Sequence, residues 1–252
     1  ATRDAVKGNL MDVNSKGFVN GGGVSAEKLY QCVVGWAAGE GAYYHAPSQT
    51  ITYLSCHDDW TLWDKLVCTL DPDRRFEELQ PAVLRANRMA AAINFCCQGH
   101  VFFLAGEEFG RTKGGVKNSY CSSPEINKLD WTRAWKNWEL VEFYRGLIQL
   151  RMQIPAFQDK SEKAGERIVS AGDLAENCAG VSGSNAGGDS PWDKVLLICN
   201  GNDYAKELPL PHGIWQLLVD DKSSTCWKRP SAMKGTIVLP PFSAFVMGRI
   251  ET

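Results

Sequence analysis

With 252 residues, 44% hydrophobic and 22% charged, the chain has the composition of a soluble globular protein and can bury one large α/β domain or two smaller ones. A formal net charge of −2 argues against a nucleic-acid partner, and no apolar run reaches membrane-spanning length. The nine cysteines are an odd number without a CxxC pair or a zinc-like Cys/His spacing, and several lie inside apolar runs. They point to a reducing, cytoplasmic setting and imply neither a metal site nor a cofactor.

Residues 1 to 24 hold few periodic apolar positions and end in Asn20-Gly21-Gly22-Gly23, a composition that predicts mostly irregular backbone. Ser25 can cap a helix over Lys28 to Ala38, because Leu29, Cys32, Val33 and Trp36 recur at helical spacing. Gly39 to Ser48 reads as a loop and Gln49 to Ser55 as a strand. Thr61 to Leu70 is a short helix closed by Asp71-Pro72. Pro81 suits the first turn of the next helix, whose face is Val83, Ala86, Ala90, Ile93 and Cys97, and Gly99 ends it. His100 to Ala105 then forms a second strand, so the order is that of a right-handed βαβ crossover with a parallel sheet.

Both strands stop at polar groups, in the position where parallel α/β folds carry function. The first ends at His57-Asp58-Asp59. A His-Asp pair there is equally a buried imidazole held by a carboxylate, or a helix cap, and the local pattern leaves these readings open. The second strand ends at Gly106-Glu107-Glu108 and enters a loop from Phe109 to about Asp130. That loop carries Arg111, Lys113, Lys117, Asn118, Ser119, Tyr120, Asn127 and Asp130, a set suited to hydrogen bonding and stacking on a sugar. The alternative is a solvated loop made flexible by Gly114-Gly115.

Trp131, Trp135 and Trp138 suggest a sugar platform, but tryptophans near helical spacing are expected in the core. The helix they introduce places Leu140, Phe143, Leu147, Leu150 and Ile154 on one face, and Pro155 stops it. From about Ala164 short apolar runs alternate with Gly, Asn, Asp and Pro, the texture of an antiparallel β domain. The boundary this predicts divides the chain into residues 1–160 and 161–252.

The string Tyr53 to Leu66 closely resembles the end of the seventh barrel strand in type I pullulanases and related debranching enzymes of the α-amylase superfamily. Gly106-Glu107-Glu108-Phe109-Gly110-Arg111-Thr112-Lys113-Gly114-Gly115, Asn118-Ser119-Tyr120 and Asn127 to Trp131 resemble their loop after the eighth strand. Arg3 to Gly8 and Lys16 to Gly21 resemble the linker after the strand bearing their catalytic acid, and Leu239 to Phe245 the last strands of their carboxyl-terminal β-sandwich.

The resemblance implies an α/β plus all-β fold, the carboxyl-terminal part of a (β/α)8 TIM barrel followed by an antiparallel β-sandwich. It implies cleavage of α-1,6-glucosidic branches with retention, which takes a nucleophile and a general acid about 5 to 5.5 Å apart. It casts Asp58 as the carboxylate that holds sugar hydroxyls in the oxocarbenium-like state, His57 as a hydrogen-bonding partner of the same sugar, and Arg111, Lys113, Asn118 and Tyr120 as substrate-binding. The nucleophile and acid motifs are not found in this sequence, and the expectation is that they lie before Ala1, leaving this chain alone inactive. The pair Glu107-Glu108 is structural by the same resemblance, and Cys56 is a candidate reactive thiol. The partner implied is an α-glucan, with the missing amino-terminal part or self-association covering an open sheet. The competing expectation is a non-catalytic α-glucan-binding or interaction protein that retains half a barrel.

Overall fold

The computed structural model describes residues 2–23, 25–56, 59–187 and 189–250. The chain opens with a helix, α1 (Thr2–Lys7), where composition predicts irregular backbone. Its buried face is only Thr2, Ala5, Val6 and Lys7, too few apolar positions for periodicity to register. In α2 (Ala26–Val33) the Ser25 hydroxyl accepts from the Lys28 amide, as its sequence position predicts. The helix ends five residues before Ala38, because Gly35 and Trp36 take left-handed φ values of 64° and 59°.

The next units are β1 (Ile51–Thr52), α3 (Leu62–Leu70), α4 (Pro81–Cys96) and β2 (His100–Val101). Thr61 caps α3 through the Asp64 amide at 3.0 Å, and Pro81 occupies the first turn of α4. The two strands pair in parallel, Ile51 opposite His100 and Thr52 opposite Val101. Each is two residues long instead of the six or seven predicted. Gln49 belongs to a 3₁₀ turn started by Pro47, and beyond Thr52 only the Phe102 amide continues the ladder, to the Thr52 carbonyl at 2.8 Å. The described sheet ends with these two strands, and Ile51 and Phe102 stay exposed beside it.

After β2 come α5 (Pro124–Asn127), α6 (Trp131–Lys136), α7 (Trp138–Arg151) and α8 (Pro155–Gln158). Leu140, Phe143, Leu147 and Leu150 are buried on α7 as the spacing predicts. The tryptophans correct the expectation of a core role: Trp131 is 69% exposed, Trp135 77% and Trp138 45%. The positions that continue the buried face toward the amino terminus are Asn137 and Arg133, both buried. The indoles sit off that face.

The second half contains β3 (Ile168–Ala175), β4 (Cys178–Ser184), β5 (Lys194–Asn200), β6 (Lys206–Pro209), β7 (Trp215–Val219), β8 (Ala232–Met233), β9 (Thr236–Leu239) and β10 (Ser243–Arg249). Six of these form an antiparallel sheet in the order β3-β4-β5-β10-β7-β8, and β6 pairs with β9 apart from it. Both faces of the central strands β4, β5 and β10 are buried. Val195, Leu197, Cys199, Ala244 and Val246 join the helices in one apolar core, whereas Leu196, Ile198, Phe245 and Met247 pack with Leu208, Ile237 and Leu239 of the β6–β9 pair in a second. Strand alternation thus serves two cores, which is why Val195 to Cys199 reads as an unbroken apolar run. Helices and antiparallel sheet together give the mixture of α/β and β structure expected.

Candidate functional site

His57 and Asp58 lie outside the described residues, but the chain on either side of them is held by buried polar groups. On the upstream side the Ser55 hydroxyl donates to Glu107 Oε2. On the downstream side the Lys7 ammonium donates to the Trp60 carbonyl at 3.3 Å. Glu107 and Lys7 are both buried and lie close enough for each charge to favour the other. Burial outweighs that attraction in both: the Glu107 carboxyl is raised to about 7 and the Lys7 ammonium lowered to about 8. Glu107 Oε1 has no hydrogen-bond partner among the described residues. Glu107, read from sequence as structural, thus joins the ends of the two strand segments.

The loop after β2 is fixed by a carboxylate that sequence reasoning assigned no role. Asp64, in the first turn of α3, is buried and accepts from the Thr112 hydroxyl and from the Lys113 amide at 2.9 Å. Desolvation raises its pKa, and these donors oppose the rise. Two glycines let the loop approach: a Cβ at Gly110, where φ is 68°, would stand 2.6 Å from the Trp63 ring, and one at Gly115, with φ 78°, 2.5 Å from the Phe76 ring. Arg133 completes the support from α6, its guanidinium 4.9 Å from the Trp63 ring centroid and donating to the Gly110 carbonyl at 2.7 Å.

The four loop residues expected to bind sugar differ in placement. The Arg111 guanidinium donates to the Asn127 carbonyl, which fastens the two ends of the loop, and desolvation lowers its pKa. Lys113 is buried and its amide is committed to Asp64. Asn118 and Tyr120 are exposed, Tyr120 at 81%, around a buried Ser119 whose hydroxyl donates to Asn127 Oδ1 at 2.8 Å. Lys117 reaches back across the site to Asp59, 3.7 Å away, so the loop stands against the segment that begins at Asp59. Among the described residues no group of three or more His, Cys, Asp or Glu side chains could hold a metal ion.

This geometry has close counterparts. The chain is 35% identical to the pullulanase of Bacillus subtilis strain 168 over 242 residues, which is 94% of this chain and 32% of that protein. The chain's homologues are pullulanases and glycogen debranching enzymes. A glycogen debranching enzyme of Serratia proteamaculans is 30% identical over 213 residues, 69% of this chain and 30% of that protein. The crystal structure of the type I pullulanase of Bacillus subtilis, complexed with maltose, superposes with a TM-score of 0.87 at 30% identity, over 99% of this chain and 35% of that one. No protein-family model matches the chain. The chain spans about a third of the length of the curated pullulanase and debranching relatives it matches.

Asp64, Lys7 and Ser55 are the contributors to this candidate site to which sequence reasoning gave no role, and it named Lys117 and Asp59 without their pairing. Asp64 was visible in the first turn of the helix predicted from Thr61, though nothing local marks its reach to the loop 48 residues on. No single-sequence signal marks Lys7 as buried.

Proposed function

We propose that the chain is the carboxyl-terminal part of an α-1,6-glucan hydrolase acting on pullulan, glycogen or starch-type glucans by a retaining mechanism. In this reading residues 1–160 are the last β/α units of a TIM barrel and residues 161–252 its β-sandwich. The parallel β1–β2 pair, with α3 and α4 between the strands, supports the first half, and the two-faced antiparallel sheet with its β6–β9 partner the second. Asp58 and His57 engage the sugar at the scissile bond, and the 111–120 loop contributes Asn118 and Tyr120 as its exposed contacts, with Arg111 and Lys113 shaping the loop. The observation that carries the reading is the Lys117–Asp59 pair, which joins the second strand's loop to the end of the first.

The nucleophile and the general acid, whose motifs this sequence does not carry, are supplied in this reading by an amino-terminal part. An intracellular, cytoplasmic setting fits the nine cysteines, all of them free, and no helix among the described residues is long and apolar enough to cross a membrane.

The test is turnover of pullulan by this chain alone and after mixing with the amino-terminal part of a pullulanase relative. The expected result is no turnover alone, turnover on mixing, and its loss with Asp58→Ala. Turnover by the isolated chain, or an unaffected Asp58→Ala complex, overturns the reading. A chain that binds maltose but never supports turnover would be the non-catalytic glucan binder.

A further inference from the structure

We propose that the exposed tryptophans of α6 and α7, with the cleft beside them, form a second α-glucan site distinct from the loop site. Trp135 and Trp138 present their rings to solvent with centroids 6.2 Å apart and planes inclined at 44°. Large aromatic surface left in water is costly unless something covers it. Trp138 also forms the lip of a cleft of about 520 Å³ between α4, α7 and the 222–225 turn, lined by Arg88, Glu139, Glu142, Ser223 and Thr225. The lining charges balance, Arg88 and Lys222 against Glu139 and Glu142, with Arg88 paired to Glu139 at 3.6 Å and Glu142 to Arg145 on the same helix at 2.7 Å. A neutral ligand rich in hydroxyls suits that lining better than an anion or a basic peptide.

The tilt selects among such ligands. Successive rings of an α-1,4-glucan turn relative to one another as the chain curls, so their apolar faces meet two inclined aromatic planes. A β-1,4-glucan is a flat ribbon and needs coplanar rings. The Arg145 guanidinium, 5.4 Å from the Trp138 centroid, and the Arg145–Glu142 pair steady that indole. Only the class of ligand, an α-glucan, is borrowed from the function proposed above. The site itself uses neither His57, Asp58 nor the 111–120 loop.

The experiment is a titration of the full chain with maltohexaose and with cellohexaose, read by tryptophan fluorescence and calorimetry, on the parent chain, Trp135→Ala, Trp138→Ala and Tyr120→Ala. All three substituted side chains are exposed, and near-ultraviolet circular dichroism checks that each variant is folded. The expected result is quenching by maltohexaose and not by cellohexaose, affinity about tenfold weaker in either tryptophan variant, the loss expected for one stacked ring, and no such loss in Tyr120→Ala. Equal affinity for cellohexaose, or maltohexaose affinity unchanged in both tryptophan variants, overturns the inference. So does a parent chain that sediments as a dimer and becomes monomeric in Trp135→Ala, since the indoles would then cover a second copy. Binding lost only in Tyr120→Ala would sink this site and leave the loop reading standing. Binding lost only in the tryptophan variants would support this site, whereas the loop reading stands or falls by the Asp58→Ala turnover experiment.

Discussion

Glu107 binds its proton more tightly in the folded chain than in the unfolded one, because burial outweighs the Ser55 hydrogen bond and the Lys7 charge. Between pH 4.5, the ordinary glutamate value, and about 7, the native state keeps a proton that the unfolded chain has released. Stability contributed by this group is therefore complete below that window and is lost as pH rises through it. Lys7 runs the other way: between about 8 and 10.5 the unfolded chain holds the proton that the native state has lost, so stability rises with pH there. Glu107→Gln should flatten the first slope, shifting the variant's stability relative to the parent by on the order of 2 kcal/mol between pH 5 and 7.5. Urea unfolding at the two pH values measures it, and parallel stability curves for parent and variant would show that Glu107 does not titrate in this window. None of this was readable from Gly106-Glu107-Glu108, since a carboxylate's burial depends on Lys7 and Ser55, 100 and 52 positions away in the chain.

At the scale of elements, the loop after β2 owes its order to α3 and α6 more than to its own sequence. Asp64→Ala removes the acceptor of the Thr112 hydroxyl and the Lys113 amide in a buried setting, and should cost about 2 kcal/mol of stability. It should also raise hydrogen exchange across residues 112–116 while leaving α7 protected, and mass-resolved exchange on the loop peptides tests that pairing of effects. Thr61→Ala, which removes only the cap on α3, should cost about 1 kcal/mol without loosening the loop. The helix behind Thr61 was legible from the sequence, although the threonine was read as its first residue and not as its cap. The loop's attachment was not, because hydrogen bonds 48 residues apart leave no local trace. Element existence followed the sequence well where a boundary residue fixes it, as Ser25, Thr61 and Pro81 do, whereas α7 ends at Arg151, before Ile154 and Pro155, and Pro155 opens α8 instead. It failed where a partner decides: the strands at Gln49–Ser55 and His100–Ala105 are only as long as their ladder, and the tryptophans face wherever Arg133 and Asn137 leave room.

At the scale of the molecule, the sheet whose central strands are buried on both faces binds the two halves of the chain into one structure. Leu197 faces the core shared with α2 and α4, and its neighbour Ile198 faces the β6–β9 pair. Leu197→Ala and Ile198→Ala should each cost about 3 kcal/mol. Only the first should loosen the packing of α4 against the sheet, which protection of the α4 amides would reveal. The opposite end of the molecule has no such closure. The parallel β1–β2 sheet leaves Ile51, 66% exposed, and Phe102, 44% exposed, beside a ladder of two residues. Open parallel sheets bury both faces and shield their edges, so this surface is expected to take up another strand-bearing body. The expected outcome is a native mass above that of one chain at high concentration, reduced to a single chain by Phe102→Lys, which puts a charge on the exposed side chain without entering either core. If Phe102→Lys leaves the association intact while Trp135→Ala removes it, the contact lies on the α6–α7 tryptophans and the open edge is tolerated in water.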